Sequence, residues 1–162
     1  MEIRVDPYLM MLPGNISLVR LRERNGEKFI DLTINSISLY QLLTILRGED
    51  PTDQPIIHRL MINTLSALEA NIEKVVIDDL INETFHSRVY VKSREQIHSI
   101  NAHVIDSISL AIVQDCPILI PEDLFKKCED EMKKMRAARL PEISDKDTQM
   151  LLESIDPNKP KS

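Results

Sequence analysis

The stretch from Ser17 to Ile34 constrains this chain most. Ser17-Leu-Val-Arg-Leu-Arg-Glu-Arg24 alternates apolar with charged residues, Asn25-Gly26 interrupts it, and Glu27-Lys-Phe-Ile-Asp-Leu-Thr-Ile34 resumes an apolar-rich run. Two such runs about an Asn-Gly predict an antiparallel hairpin, because both residues of a tight two-residue turn need positive φ and these two reach it most cheaply. Alternation then places Arg20, Arg22 and Arg24 on one strand face, expected to be wet. A second hairpin is expected from 72–80 and 84–92, joined through Ile81-Asn82-Glu83. In it Phe85, Ser87, Val89 and Val91 alternate against Thr84, His86, Arg88 and Tyr90, which predicts one packed and one solvated face. Shorter strands are expected at 96–101 and 117–120.

Helical periodicity fills the gaps between these strands. Residues 36 to 47 have a single polar stripe, Ser38, Gln41 and Thr44, so the helix they form is expected either to thread the middle of the domain or to lie in a subunit interface. A second helix is expected from about Ile56 to Ala70, burying Ile57, Leu60, Met61, Thr64, Leu65 and Leu68. A third runs from about Ala102 to Gln114, with Asn101 as N-cap and Ile105, Ile108 and Ile112 inward. Pro121-Glu-Asp opens the last, whose final turns carry Lys133, Lys134, Arg136 and Arg139, while Glu129, Asp130 and Glu131 make it a mixed-charge, solvated helix. The expected fold class is α+β, an antiparallel or mixed sheet built from hairpins and packed with three to four helices. Residues 1–140 form one domain in this reading, and 141–162 a charged, partly disordered extension with one short helix opening at Ser144.

Composition limits what such a domain can do. Apolar residues at 43% and charged ones at 28% suit a folded domain. No apolar run approaches the roughly 20 residues a membrane span needs, and Glu2 and Asp6 stand where a secretory leader would be basic or apolar, so a cytoplasmic protein is expected. A net charge of −6 disfavours non-specific nucleic-acid binding, which rests on Lys and Arg neutralising phosphates. The cysteines, Cys116 and Cys128, are too few for a disulfide framework or zinc site and read as buried, inert thiols.

The order of these elements resembles the bifunctional nuclease domain family across roughly Ile16 to Lys127. The resemblance rests on the hairpin, the apolar helix, Pro55-x-x-His58-x-Leu60, the strand pair with Thr84-Phe85, Asp106-Ser-Ile-Ser-Leu-Ala111 and the Cys116-Pro-Ile-Leu run. It implies an α+β, oligomeric protein acting on DNA and RNA without sequence preference. The charged motif positions diverge. Where the family shows Leu-Pro-Ile-Trp-Ile-Gly and a following glutamate, this chain has Ile30-Asp-Leu-Thr-Ile-Asn35 and Ser38. Arg-Pro-Leu-Thr-His-Asp-Leu becomes Gln54-Pro-Ile-Ile-His-Arg-Leu60, and Asp-x-Arg-Pro-Ser-Asp-Ala-Ile-x-Leu-Ala becomes Asn101-Ala-His-Val-Ile-Asp-Ser-Ile-Ser-Leu-Ala111, in which Asp106 alone survives among the charged positions.

Phosphodiester hydrolysis needs an activated water, stabilised phosphoryl charge and a proton for the leaving group. The candidate catalytic residues are His58, His103 and Asp106. His103 and Asp106 are three apart at a helix start and can face one way, and an Asp–His pair can orient a general base. In the structural alternative, His58 lines the second helix and Asp106 offsets the dipole of the third. A divalent cation would accompany nuclease chemistry; Asp78-Asp79 and Glu83 offer oxygens for one, although neighbouring strand residues point to opposite faces. His86, Arg88 and Tyr90 share a strand face that a nucleic acid, another subunit or solvent could cover. Two functions follow: a divergent nuclease, or a catalytically inactive oligomeric domain that binds a protein partner through its apolar first helix or its C-terminal extension.

Overall fold

A computed structural model describes residues 1–49 and 56–139, the last five as backbone alone. In chain order the elements are β1 (Glu2–Leu12), β2 (Ile16–Glu23), β3 (Phe29–Ile34), α1 (Ser36–Arg47), α2 (Ile57–Ala67), β4 (Ala70–Ile81), β5 (Thr84–Ser93), β6 (Gln96–His103), α3 (Val104–Gln114), β7 (Ile118–Pro121) and α4 (Glu122–Arg139). The strands form one seven-stranded mixed sheet in the order β3-β2-β1-β7-β4-β5-β6. With its four helices this is the expected α+β class. The extension at 141–162 and the loop residues 50–55 lie outside the described residues.

Both expected hairpins form, with one correction to their turns. The loop from β2 to β3 closes through Glu23 N–H to Lys28 C=O at 2.9 Å, and neither Asn25 nor Gly26 takes positive φ. The reason lies in the neighbouring strand: Arg24 N–H donates to Arg4 C=O at 3.0 Å and its guanidinium grips Asp6 at 2.6 Å, which draws the chain toward β1 and lengthens the loop. A two-residue turn with both residues at positive φ occurs instead between β4 and β5, at Asn82 (49°) and Glu83 (63°).

β1 was not legible as a strand, yet it lies inside the sheet. It pairs along most of its length with β2, and through Glu2 to Val5 with β7. Pro7, which has no N–H to give, falls beyond the β7 pairing, where β1 has one neighbour only. β7 in turn runs parallel to β4 through Ile118 and Leu119. Four residues thus join the β3-β2-β1 meander to the β4-β5-β6 meander.

One sheet face carries the core. Ile3, Val5, Val19, Leu21, Ile30 and Leu32 on one side, and Ile72, Val75, Ile77, Val89 and Val91 on the other, pack with α3 and with Leu124, Phe125 and Cys128 of α4 into one cluster. α3 touches β4, β5 and β6, and both α1 and α2 pack against it. Val104, Ile105 and every residue from Ser107 to Ala111 are buried, with Ser107 and Ser109 as deep as Ile108, and Asp106 in the first turn is exposed. Ser109 Oγ donates to Ile105 C=O, while Ser107 Oγ meets Ser87 Oγ at 2.8 Å, and Ser87 also reaches Ala102 C=O.

For α1 one of the two expected placements is excluded, and for α2 the expected inward face is corrected. α1 does not thread the domain: Leu42 and Ile45 are buried, but Ile37 and Tyr40 are each 71% exposed. On α2 the inward stripe is His58, Ile62 and Leu65, and Ile57, Leu60, Met61 and Leu68 face outward. α2 rests on α3 and on its own continuation into β4, so only a narrow stripe is covered. From Glu129 the chain forms a separate unit, where Lys133 and Lys134 pair with Asp130 and Glu131 along α4.

Candidate functional site

Where β6 passes into α3, the backbone turns at His103, which is the N-cap of α3 in place of the expected Asn101. Its Nδ1 accepts from Ile105 N–H at 3.4 Å, a long bond, and the side chain is exposed. A histidine serves here because its extended backbone ends the strand while one ring nitrogen takes up an otherwise orphaned helix donor. Asp106 follows in the first turn, where the helix dipole favours a carboxylate.

His58, 48 residues earlier in the chain, meets that carboxylate: Nε2 lies 3.0 Å from Asp106 Oδ1. The two side chains differ sharply in exposure, 5% for His58 and 55% for Asp106. An ionised carboxylate only accepts, so Nε2–H is the donor. Nδ1 is covered and has no hydrogen-bond partner among the described residues. The arrangement is therefore directional: the buried imidazole holds one carboxylate oxygen, and the outward-facing side of the carboxylate meets solvent. Structure thus brings together two of the three candidate residues, His58 and Asp106, and gives His103 a capping bond of its own.

The pair lies in a cleft of about 320 Å³ between α2, α3 and β6. Its walls are mostly apolar, with Ile57 and Met61 from α2, Val89 and Ile100 from the sheet, and Leu110 from α3; Asn101 and Ala102 complete the rim. Apolar walls about one polar pair are the usual composition of a ligand cleft. Ile57, Met61 and Ile100 were not singled out beforehand as site residues. For Ile57 and Met61 the signal is the apolar face of α2, which points outward and not into the core; for Ile100 it is its place on the edge strand β6.

Other polar candidates are engaged elsewhere. Asp78 pairs with Arg88 at 2.8 Å, and Asp79 takes Lys127 Nζ at 2.6 Å and the Leu80 N–H at 2.7 Å, so both carboxylates are held by cations of this chain. Lys127 holds the Asp79 carboxyl below its ordinary value. Among the described residues no group of three or more His, Cys, Asp or Glu is placed to hold a metal ion. On the polar sheet face, Lys74 sits 4.9 Å from the Tyr90 ring, and His86 is the cross-strand neighbour of His103. Two of the three arginines of the first hairpin are engaged: Arg20 makes a two-pronged contact with Asp31 at 2.7 and 2.8 Å and stacks on Phe29, and Arg24 holds Asp6 of β1. A second cleft, lined by Arg4, Arg24, Asp6 and Cys116, offers no nucleophile, since burial pushes the Cys116 thiol up to about 11. Among the described residues no helix is long and apolar enough to cross a membrane.

Comparison with known proteins adds a family. Residues 19–133 match the model of the bifunctional nuclease domain. Two proteins of Mycobacterium tuberculosis, from strains CDC 1551 and H37Rv, are each 26% identical to this chain over 121 residues, covering 75% of it and 71% of their own length. Both are described as uncharacterized.

Proposed function

The chain belongs to the bifunctional nuclease domain family, and from that premise we propose that it hydrolyses phosphodiester bonds of DNA and RNA, with little sequence preference, from the His58–Asp106 cleft. The observation that supports this reading best is the 3.0 Å contact between a buried imidazole and an exposed carboxylate at the rim of an open cleft. In this mechanism Asp106 is the catalytic residue. With Oδ1 held by His58, Oδ2 accepts a proton from the attacking water. His58 is a positioning residue, because Nε2 is occupied and Nδ1 is covered. The leaving oxygen takes its proton from water, and His103, with Nδ1 accepting from Ile105 N–H, holds the helix end beside the pair.

Among the described residues no three or more His, Cys, Asp or Glu side chains are placed to hold a metal ion. A divalent cation that arrives with the nucleic acid needs only one or two carboxylates beside phosphate and water, and Asp106 is the carboxylate of this cleft. The reading further includes a cytoplasmic setting and self-association into a homo-oligomer.

A second reading, a catalytically inactive oligomeric domain that serves as a protein-interaction module, is favoured by the outward apolar residues of α1, Ile37 and Tyr40, and by the replaced motif residues of the family. Cleavage of labelled single-stranded DNA and RNA separates the two, assayed with Mg²⁺, with Mn²⁺ and with chelator. Activity of the native chain that falls at least ~100-fold in Asp106→Asn, with His58→Ala impaired and a folded state verified, supports hydrolysis from this cleft. Equal cleavage by native chain and Asp106→Asn would remove Asp106 from the chemistry, and no cleavage under any condition would leave the interaction module.

A further inference from the structure

The sheet is interrupted on one side of β1. β7 pairs with β1 only as far as Val5 and Ile118, and past that point β1 keeps β2 as its one neighbour. The C-terminal turn of α3, Cys116-Pro117 and Leu46 at the end of α1 border the space that is left, a cleft of about 220 Å³. It shares no lining residue with the His58–Asp106 cleft, which lies at the other end of α3.

One wall of this cleft is cationic. Arg24 N–H donates to Arg4 C=O at 3.0 Å, which sets two arginines side by side on neighbouring strands. Like charges so placed disfavour the sheet, and a carboxylate relieves one of them: Asp6 takes Arg24 at 2.6 Å. Arg4 is left over. It is exposed, and its guanidinium makes no hydrogen bond or ion pair among the described residues. The facing wall is anionic. α3 ends there on Asp115, whose backbone is left-handed at φ 58° and whose exposed carboxylate has no ion pair among the described residues. The negative end of the helix dipole adds to that charge.

The lining charges balance, Arg4 and Arg24 against Asp6 and Asp115. An anion alone would satisfy Arg4 and face Asp115; a cation alone would do the reverse. We infer that the cleft binds a small zwitterion, an α-amino acid with a short aliphatic side chain, its carboxylate on Arg4 and its ammonium on Asp115. The planar fork of a guanidinium matches a carboxylate with two parallel hydrogen bonds, and the end of a helix favours a cation. Leu46, Ile112 and Pro117 supply apolar surface for the side chain. A volume of about 220 Å³ falls below the roughly 300 Å³ at which pockets for drug-sized molecules begin, so the ligand is a small one.

Calorimetric titration of the full chain with L-valine tests this, alongside isovalerate and isobutylamine, which each keep one of its two charges. L-Valine is expected to bind with a Kd at or below ~1 mM, and either analogue at least ~10-fold more weakly. Arg4→Gln, which leaves the Asp6–Arg24 pair in place, should abolish L-valine binding with the far-UV spectrum unchanged. Asp115→Asn keeps a residue type that tolerates the left-handed backbone, so the helix end is retained while binding falls at least ~10-fold. Arg22→Gln, exposed and outside the cleft, should bind L-valine as the native chain does. Absence of saturable L-valine binding would overturn the inference, as would undiminished binding by Arg4→Gln. Isovalerate binding as tightly as L-valine would reduce the cleft to an anion site and overturn the zwitterion.

Discussion

α1 and α3 pack against one another, yet they meet water in opposite ways. α1 has an almost unbroken apolar composition and leaves Ile37 and Tyr40 largely in solvent. α3 carries Ser107 and Ser109 and buries both nearly completely. The difference is one of position. α3 has the sheet beneath it and a helix on each flank, and its serines are accommodated because Ser87 and the Ile105 carbonyl meet them. α1 stands at the end of the helix row and has one covered side. Composition states how much apolar surface a helix offers, and the layers around it decide how much is used.

The strongest way to break this contrast is to cut equally into both helices. Ile108→Ala, at a fully buried site, should cost about 3 kcal/mol in urea unfolding, within the usual range for Ile→Ala in a core. Ile37→Ala should stay within about 0.5 kcal/mol. Similar costs at the two positions would mean that α1 is covered in solution. A smaller effect sharpens the account of α3: Ser107→Ala removes one partner of Ser87 and should cost about 1 kcal/mol by the same measurement. Smallest is an acid response common to both helix variants. Arg24 holds Asp6, Lys127 holds Asp79 and Lys28 holds Glu122 below their ordinary values of 3.8, 3.8 and 4.5. Depressed acids stabilise the fold above those values, and that contribution is lost as the pH falls through the lower folded values. Unfolding midpoints of Ile37→Ala and Ile108→Ala should therefore decline in parallel below about pH 4.5, and only modestly, because these pairs are exposed.

Hairpins and helices were legible because local rules write them: alternation in Phe85 to Val91, a polar stripe in α1, Pro121 before α4. β1 was missed although Met1 to Asp6 alternates apolar with charged residues, because Pro7 and the apolar run Leu9 to Leu12 break that alternation and its partners are set by tertiary pairing. The outward turn of α2 was misread for a related reason, as periodicity reveals an apolar face and not what it meets. At the site, spacing linked His103 with Asp106, but the hydrogen bond that forms is between Asp106 and His58, across 48 residues. No local pattern encodes such a contact. His103 became an N-cap because strand and helix meet there without a loop, a junction that sequence placed two residues early.

The join made by β7 has a consequence for the order of synthesis. The β3-β2-β1 meander is translated first and the β4-β5-β6 meander next, yet the strand between them spans Ile118–Pro121, after both. A nascent chain can pair each meander within itself as it leaves the ribosome, but β1 and β4 have no common neighbour until those four residues emerge. The sheet is closed from its middle, by its shortest strand, and last.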